Sequence, residues 1–357
     1  MSRDREKTQV PHPTPLPLGG ERVKGEGGKR IDSLKDRILH GGEISFEEAL
    51  DLMEIEDSTD LGSLFEAARE ITHHFNSSTP GLCTLLNAKS YLCGEDCGFC
   101  AQSVRFDTSA DRYQLMEPEK VVEAAKRAER HGAQNFCIVT SGAAPTDEEF
   151  EKILFVLNKL SKESRLNLDA SLGFITEEQA RRLKEAGLRR FNHNLQSSRE
   201  FYPKIVSTHT YETRLETIRA LLEGGLELCS GGILGMGESR EDRVKLAFEL
   251  KPHAPHCIPM NVLNPRPGTP LEDQPKPDPR EILKTIAVFR FIHPRANIKL
   301  AGGREVNLTL AEQEQALRGG ANGLILGGYL TTSGNPVEED LKMLERAGFE
   351  VKRNLPS

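Results

Sequence analysis

The chain has 357 residues, a formal net charge of −7, 28% charged residues and seven cysteines. Its lysines and arginines are interspersed with acids rather than clustered, which leaves no general basic face and excludes nucleic acid as an expected partner. No stretch approaches the ~20 apolar residues of a membrane span, and no charged-then-apolar leader precedes a cleavage site. The expected setting is therefore cytoplasmic, where thiols stay reduced and cysteines act as ligands or small buried residues rather than as disulfides.

In chain order, residues 1–30 are rich in Pro, Gly and charge and are expected to be disordered. From Ile31 the pattern turns helical, and Ser45 followed by Glu47 and Glu48 marks the N-cap of a second helix. Residues 31–80 read as an N-terminal helical cap. Beyond Pro80, short apolar runs at 82–88, 135–140, 166–172, 189–193, 227–234, 256–263, 296–300 and 323–326 alternate with amphipathic stretches such as 118–131, 146–162, 176–186, 211–223, 239–250, 279–291 and 310–318. Alternation of this kind is the mark of repeated βα units around a parallel sheet. The expectation is an α/β fold, a TIM-type (βα)8 barrel over 81–351, with a short tail at 352–357.

The chemistry of such a barrel sits on the loops at the carboxyl ends of its strands. The first of these loops reads Cys93-Gly-Glu-Asp-Cys97-Gly-Phe-Cys100, a C-x3-C-x2-C trio with no fourth ligand nearby. Structural zinc wants four protein ligands, whereas three thiolates around a four-iron cluster leave one iron open to a substrate. Gly94 and Gly98 let the backbone wrap closely round such a cluster. Phe99 can stack near an adenine or shield the cluster. The glycine-rich turn 229–238 permits close approach to a ligand but lacks the lysine of a P-loop. Asn192, Asn194 and Asn261 bring amides to the barrel mouth, where they can recognise a neutral urea or ribose hydroxyls, or merely cap loops.

The trio has the spacing of radical S-adenosylmethionine enzymes. From Asn87-Ala-Lys-Ser-Tyr-Leu-Cys-Gly-Glu-Asp-Cys-Gly-Phe-Cys-Ala-Gln-Ser103, through Phe191-Asn-His-Asn-Leu195 and Cys229-Ser-Gly-Gly232, to Gly302-Gly-Arg-Glu-Val-Asn307, the chain resembles the biotin synthase family, over about Ile31 to Val351. The resemblance implies insertion of sulfur between two unactivated carbons of dethiobiotin, with 5′-deoxyadenosyl radicals abstracting hydrogen and a second iron-sulfur cluster donating sulfur. It assigns Cys93, Cys97 and Cys100 to a 4Fe-4S cluster. It assigns Phe99, Thr140, Asn194, Arg214 and Ile233 to S-adenosylmethionine, with Arg214 pairing the carboxylate. Asn194 and Asn261 go to the ureido ring of the substrate, and Thr331 and Thr332 to its carboxylate tail. Flavodoxin or ferredoxin as electron donor and a homodimer are implied in the same way.

One departure stands out. The common form of the family holds a 2Fe-2S cluster with three cysteines and an arginine. Here Cys137 and Cys229 match two of those cysteines, while Asp169 and Lys299 occupy the other two positions, and carboxylate and amine are poor partners for iron-sulfur chemistry. Cys83 and Cys257 stand four residues before Asn87 and Asn261 on their strands, so strand alternation points them inward and deeper. The expectation is that Cys83, Cys137, Cys229 and Cys257 together hold a different auxiliary cluster of the four-iron type. The competing reading treats each as a small buried hydrophobe. Two other functions compete with sulfur insertion: a radical relative without it, such as a hydrogenase maturase, and a non-catalytic metal-binding protein.

Overall fold

The computed structural model describes residues 25–330 and 334–351. Three helices come first: α1 (Glu26–Leu39), α2 (Phe46–Met53) and α3 (Ser58–Phe75). α1 starts at Glu26, earlier than the expected Ile31, and buries Ile31, Leu34 and Ile38, which share one face at helical spacing. α2 opens on a reciprocal capping box between Ser45 and Glu48, so the expected N-cap at Ser45 is present.

The barrel follows as β1 (Gly81–Lys89), α4 (Pro118–Arg130), β2 (Asn135–Thr140), α5 (Asp147–Glu163), β3 (Asn167–Ser171), α6 (Glu177–Glu185), β4 (Arg190–Asn192), α7 (Tyr211–Glu223), β5 (Glu227–Cys229), β6 (Gly232–Leu234), α8 (Arg240–Leu250), β7 (Cys257–Val262), α9 (Pro279–Ile292), β8 (Asn297–Leu300), α10 (Arg304–Asn307), α11 (Leu310–Arg318), β9 (Gly323–Ile325) and α12 (Val337–Arg346). The strands pair in parallel in the order β5-β4-β3-β2-β1-β9-β8-β7-β6, and Cys229 of β5 registers with Cys257 of β7 to close the ring. The α/β barrel expected from the alternation is therefore what forms; outside it α2 packs on α8 and α9, α3 on α9, and α1 on α3. Among the described residues no helix is long and apolar enough to cross a membrane.

The expected strand 227–234 is two strands sharing one stave. Ser230 and Gly231 interrupt it, and the cause is a close crossing: a Cβ on Gly231 would lie 2.2 Å from the Pro259 carbonyl oxygen. Asn194 Oδ1 accepts from the Gly231 amide at 3.1 Å and fixes the break. β6 then turns off β5 and pairs with β7 through Gly232, Ile233 and Leu234.

α12 is tied to the barrel by a buried ion pair. Arg304, 1% exposed, donates to Asp340 at 2.6 Å, to Gln313 and to the Ile325 carbonyl at 3.2 Å. Asp340→Ala removes the closer of two counter-charges, leaving Glu305 at 3.3 Å from Arg304 Nε, and we expect a loss of about 3 kcal/mol. Denaturant unfolding of the variant against wild type measures it, and Asp340→Asn, which keeps an acceptor, should lose less.

Candidate active site

The cysteine loop follows β1. Tyr91 and Leu92, both at φ 63°, turn the chain sharply just before Cys93. The loop is then pinned by backbone bonds from the Cys100 amide to Cys97 O at 2.9 Å, from the Val104 amide to Cys93 O at 2.8 Å, and from the Gly98 amide to Ile205 O at 2.8 Å. Asp96 clasps the segment before α7, accepting from the Ser207 and Thr208 amides at 2.9 and 3.1 Å. These bonds, with those of Ser207 and Thr208 hydroxyls, outweigh burial and hold the Asp96 carboxyl well below the usual carboxylate range. An outer cavity of about 190 Å³ opens beside the loop, lined by Cys93, Cys97, Cys100, Phe99, Thr140, Asn194 and Arg214. Seven of the residues expected at the cluster and its cofactor thus meet in one place.

Phe99, Cys100, Asn192, Asn194 and Gln196 also line a second, inner chamber of about 270 Å³ inside the barrel, and so form the wall between the two. Ile233 and Asn261 lie on this inner chamber rather than the outer one. Its deeper lining carries Cys83, Cys137, Cys229, Asp169 and Lys299, and Tyr329 covers one side, packed where any side chain on Gly302 would collide with its ring. Cys257 is fully buried behind Cys229. The hydrogen bond to Cys257 and burial push the Cys229 thiol up. Against its burial, Lys299 is raised above the ordinary lysine value, chiefly by Cys257, with Asp169 also facing it. Asp169 faces Arg190 at 3.5 Å.

Residues 89–250 match the Radical SAM superfamily, and residues 259–350 match the Biotin and Thiamin Synthesis associated domain. The chain is 44% identical over 321 residues to the biotin synthase of Clostridium tetani, covering 90% of this chain and 98% of that relative. It is likewise 44% identical over 321 residues to the biotin synthase of Acetivibrio thermocellus, covering 89% and 98%. The chain belongs to the biotin synthase family. Among solved structures, methylornithine synthase superposes with a TM-score of 0.78 at 20% identity, covering 90% of this chain and 98% of that one. At that identity the likeness speaks for the barrel alone.

Membership of the biotin synthase family implies a 4Fe-4S cluster, and buried thiols are donors that suit iron-sulfur chemistry. Burial pushes the thiols of Cys97 and Cys100 up to about 12 and about 11, and Cys83 up to about 12. Such thiols stay protonated unless a cation pays for their ionisation, which iron does. Among the described residues no three His, Cys, Asp or Glu side chains close around a single-ion position.

The amides divide differently from expectation. Asn261 is engaged by backbone, donating to Gly232 O at 3.0 Å and accepting from the Gly302 amide at 3.1 Å. Asn192 Oδ1 and Gln196 Oε1 are instead buried without a hydrogen-bond partner. A buried orphan acceptor on a cavity wall is where a ligand donor is wanted. Asn192 had a signal, since it closes β4 two residues before Asn194; Gln196, at φ 72° beyond the strand, had none. Thr331 and Thr332 lie outside the described residues.

Proposed function

We propose that this chain converts dethiobiotin to biotin by radical sulfur insertion, with a 4Fe-4S cluster on Cys93, Cys97 and Cys100, S-adenosylmethionine in the outer cavity and dethiobiotin in the inner chamber. The observation that carries this reading is the shared wall: one cavity is lined by the three-cysteine loop and Arg214, its neighbour is floored by thiols, and Phe99, Cys100 and Asn194 face both. Bound there, the cluster and its cofactor would supply the one-electron sulfonium cleavage that permits hydrogen abstraction.

The chain's own residues supply position and dryness. Arg214 offers a charged fork for a carboxylate, Phe99 an aromatic face for adenine, and Thr140 and Asn194 polar contacts. On the inner side, Asn192 Oδ1 suits a ureido N–H. Leu85, Val139, Ile233 and Ile325 line the chamber with apolar surface, which keeps water from the reacting carbons.

Cys83, Cys137, Cys229 and Cys257 are proposed to hold the auxiliary cluster that donates sulfur, of the four-iron type, with Lys299 as an internal counter-charge. Asp169, engaged by Arg190, is a neighbour rather than a ligand in this reading. A flavodoxin or ferredoxin as electron donor, a homodimer and a cytoplasmic setting belong to the same proposal. Anaerobic, reduced protein reconstituted with iron and sulfide, given dethiobiotin and S-adenosylmethionine, should form biotin by mass, with one cofactor consumed for each carbon–hydrogen bond broken. Cofactor cleavage without biotin would place the chain among radical relatives that do not insert sulfur.

A further inference from the structure

Arg214 is joined to the cysteine loop by an unbroken line of side chains. Glu95, between Cys93 and Cys97, takes a hydrogen bond from His209 Nδ1 at 2.6 Å. His209 Nε2 meets the Tyr202 hydroxyl at 2.7 Å, and that hydroxyl accepts from Arg214 Nε. Arg214 Nη1 donates to the Asn194 carbonyl at 3.0 Å. With His209 neutral, the donor and acceptor roles have one solution. Arg214 can only donate, so Tyr202 gives its single hydroxyl proton to His209 Nε2, and the remaining ring proton on Nδ1 goes to Glu95. A neutral histidine is the state this needs. Burial and the Arg214 charge lower His209 toward the neutral ring. Tyr202 is 1% exposed, and Phe174 packs edge-on to His209 with centroids 5.0 Å apart, so neither ring has room to swing.

We propose that Glu95, His209 and Tyr202 are positioning residues that hold the Arg214 guanidinium at a set place relative to the cysteine loop, and thereby couple the order of that loop to affinity for the carboxylate end of S-adenosylmethionine. This rests on the reading that Arg214 meets that carboxylate. Coupling of this kind is reciprocal: the cofactor that grips Arg214 also steadies the loop through Glu95.

The test uses reconstituted holoenzyme under anaerobic conditions, with S-adenosylmethionine binding measured by equilibrium dialysis beside iron and sulfide content. Tyr202→Phe keeps the ring but removes both bonds of the hydroxyl. His209→Asn keeps a donor toward Glu95 but is too short for Tyr202. Both should weaken cofactor binding by about tenfold at wild-type iron content, with KM for the cofactor rising more than kcat falls. Unchanged affinity in both variants at full iron content would overturn the inference. So would loss of loop iron in both, since the line would then serve loop folding and not Arg214. If wild type itself does not bind the cofactor, the functional reading fails, and this inference with it.

Discussion

Cys97→Ser should abolish cleavage of S-adenosylmethionine, a fall of roughly a thousandfold or more, equivalent to at least about 4 kcal/mol of barrier. Three thiols are the fewest that can hold a four-iron cluster with one iron open, and the loop offers no spare. Serine is nearly the same size, so the bonds from the Ser207 and Thr208 amides to Asp96 and from the Gly98 amide to Ile205 O should survive. What changes is the donor: burial already pushes the Cys97 thiol up to about 12, and an alcohol there is far harder to ionise. Iron analysis and visible absorption should show the loop cluster lost, while circular dichroism matches wild type. Cofactor cleavage at a wild-type rate would remove the three-cysteine loop from the chemistry.

The second large effect is selective. The Cys83→Ser/Cys257→Ser double variant should lose the auxiliary iron and sulfide, keep the loop cluster with cofactor cleavage, and lose biotin formation by about a hundredfold. Without those two thiols the floor retains Cys137 and Cys229, a carboxylate engaged by Arg190, and the Lys299 ammonium. An ammonium cannot replace a thiolate, and its charge repels iron. Iron and sulfide analysis of anaerobically purified protein decides it. Wild-type content in the double variant would mean that Cys83 and Cys257 are buried small residues and nothing more.

The barrel was legible because period and spacing are local: a buried parallel strand reads as a short apolar run, and each one but the last, 323–326, was followed by a recognised amphipathic stretch. The break at Ser230 and Gly231 was not, because it is set by Pro259 on a neighbouring stave, a contact with no local sequence mark. The outer site was legible for the opposite reason, since Cys93, Cys97, Cys100 and Phe99 lie within eight residues. The line from Glu95 to His209 joins positions 114 apart in the chain and needed the folded structure. The choice among amides also failed to show in sequence. Asn192, Asn194 and Asn261 look alike on paper, and only the backbone bonds at Gly231, Gly232 and Gly302 separate the braces from the open acceptor.

The origin of the inserted sulfur is the most direct measurement. Protein whose clusters are rebuilt with ³⁴S-sulfide, freed of excess sulfide, reduced, and given dethiobiotin and S-adenosylmethionine should release biotin carrying ³⁴S in a first turnover. No biotin, or biotin with unlabelled sulfur, would contradict a sulfur donor held by the thiols inside the barrel.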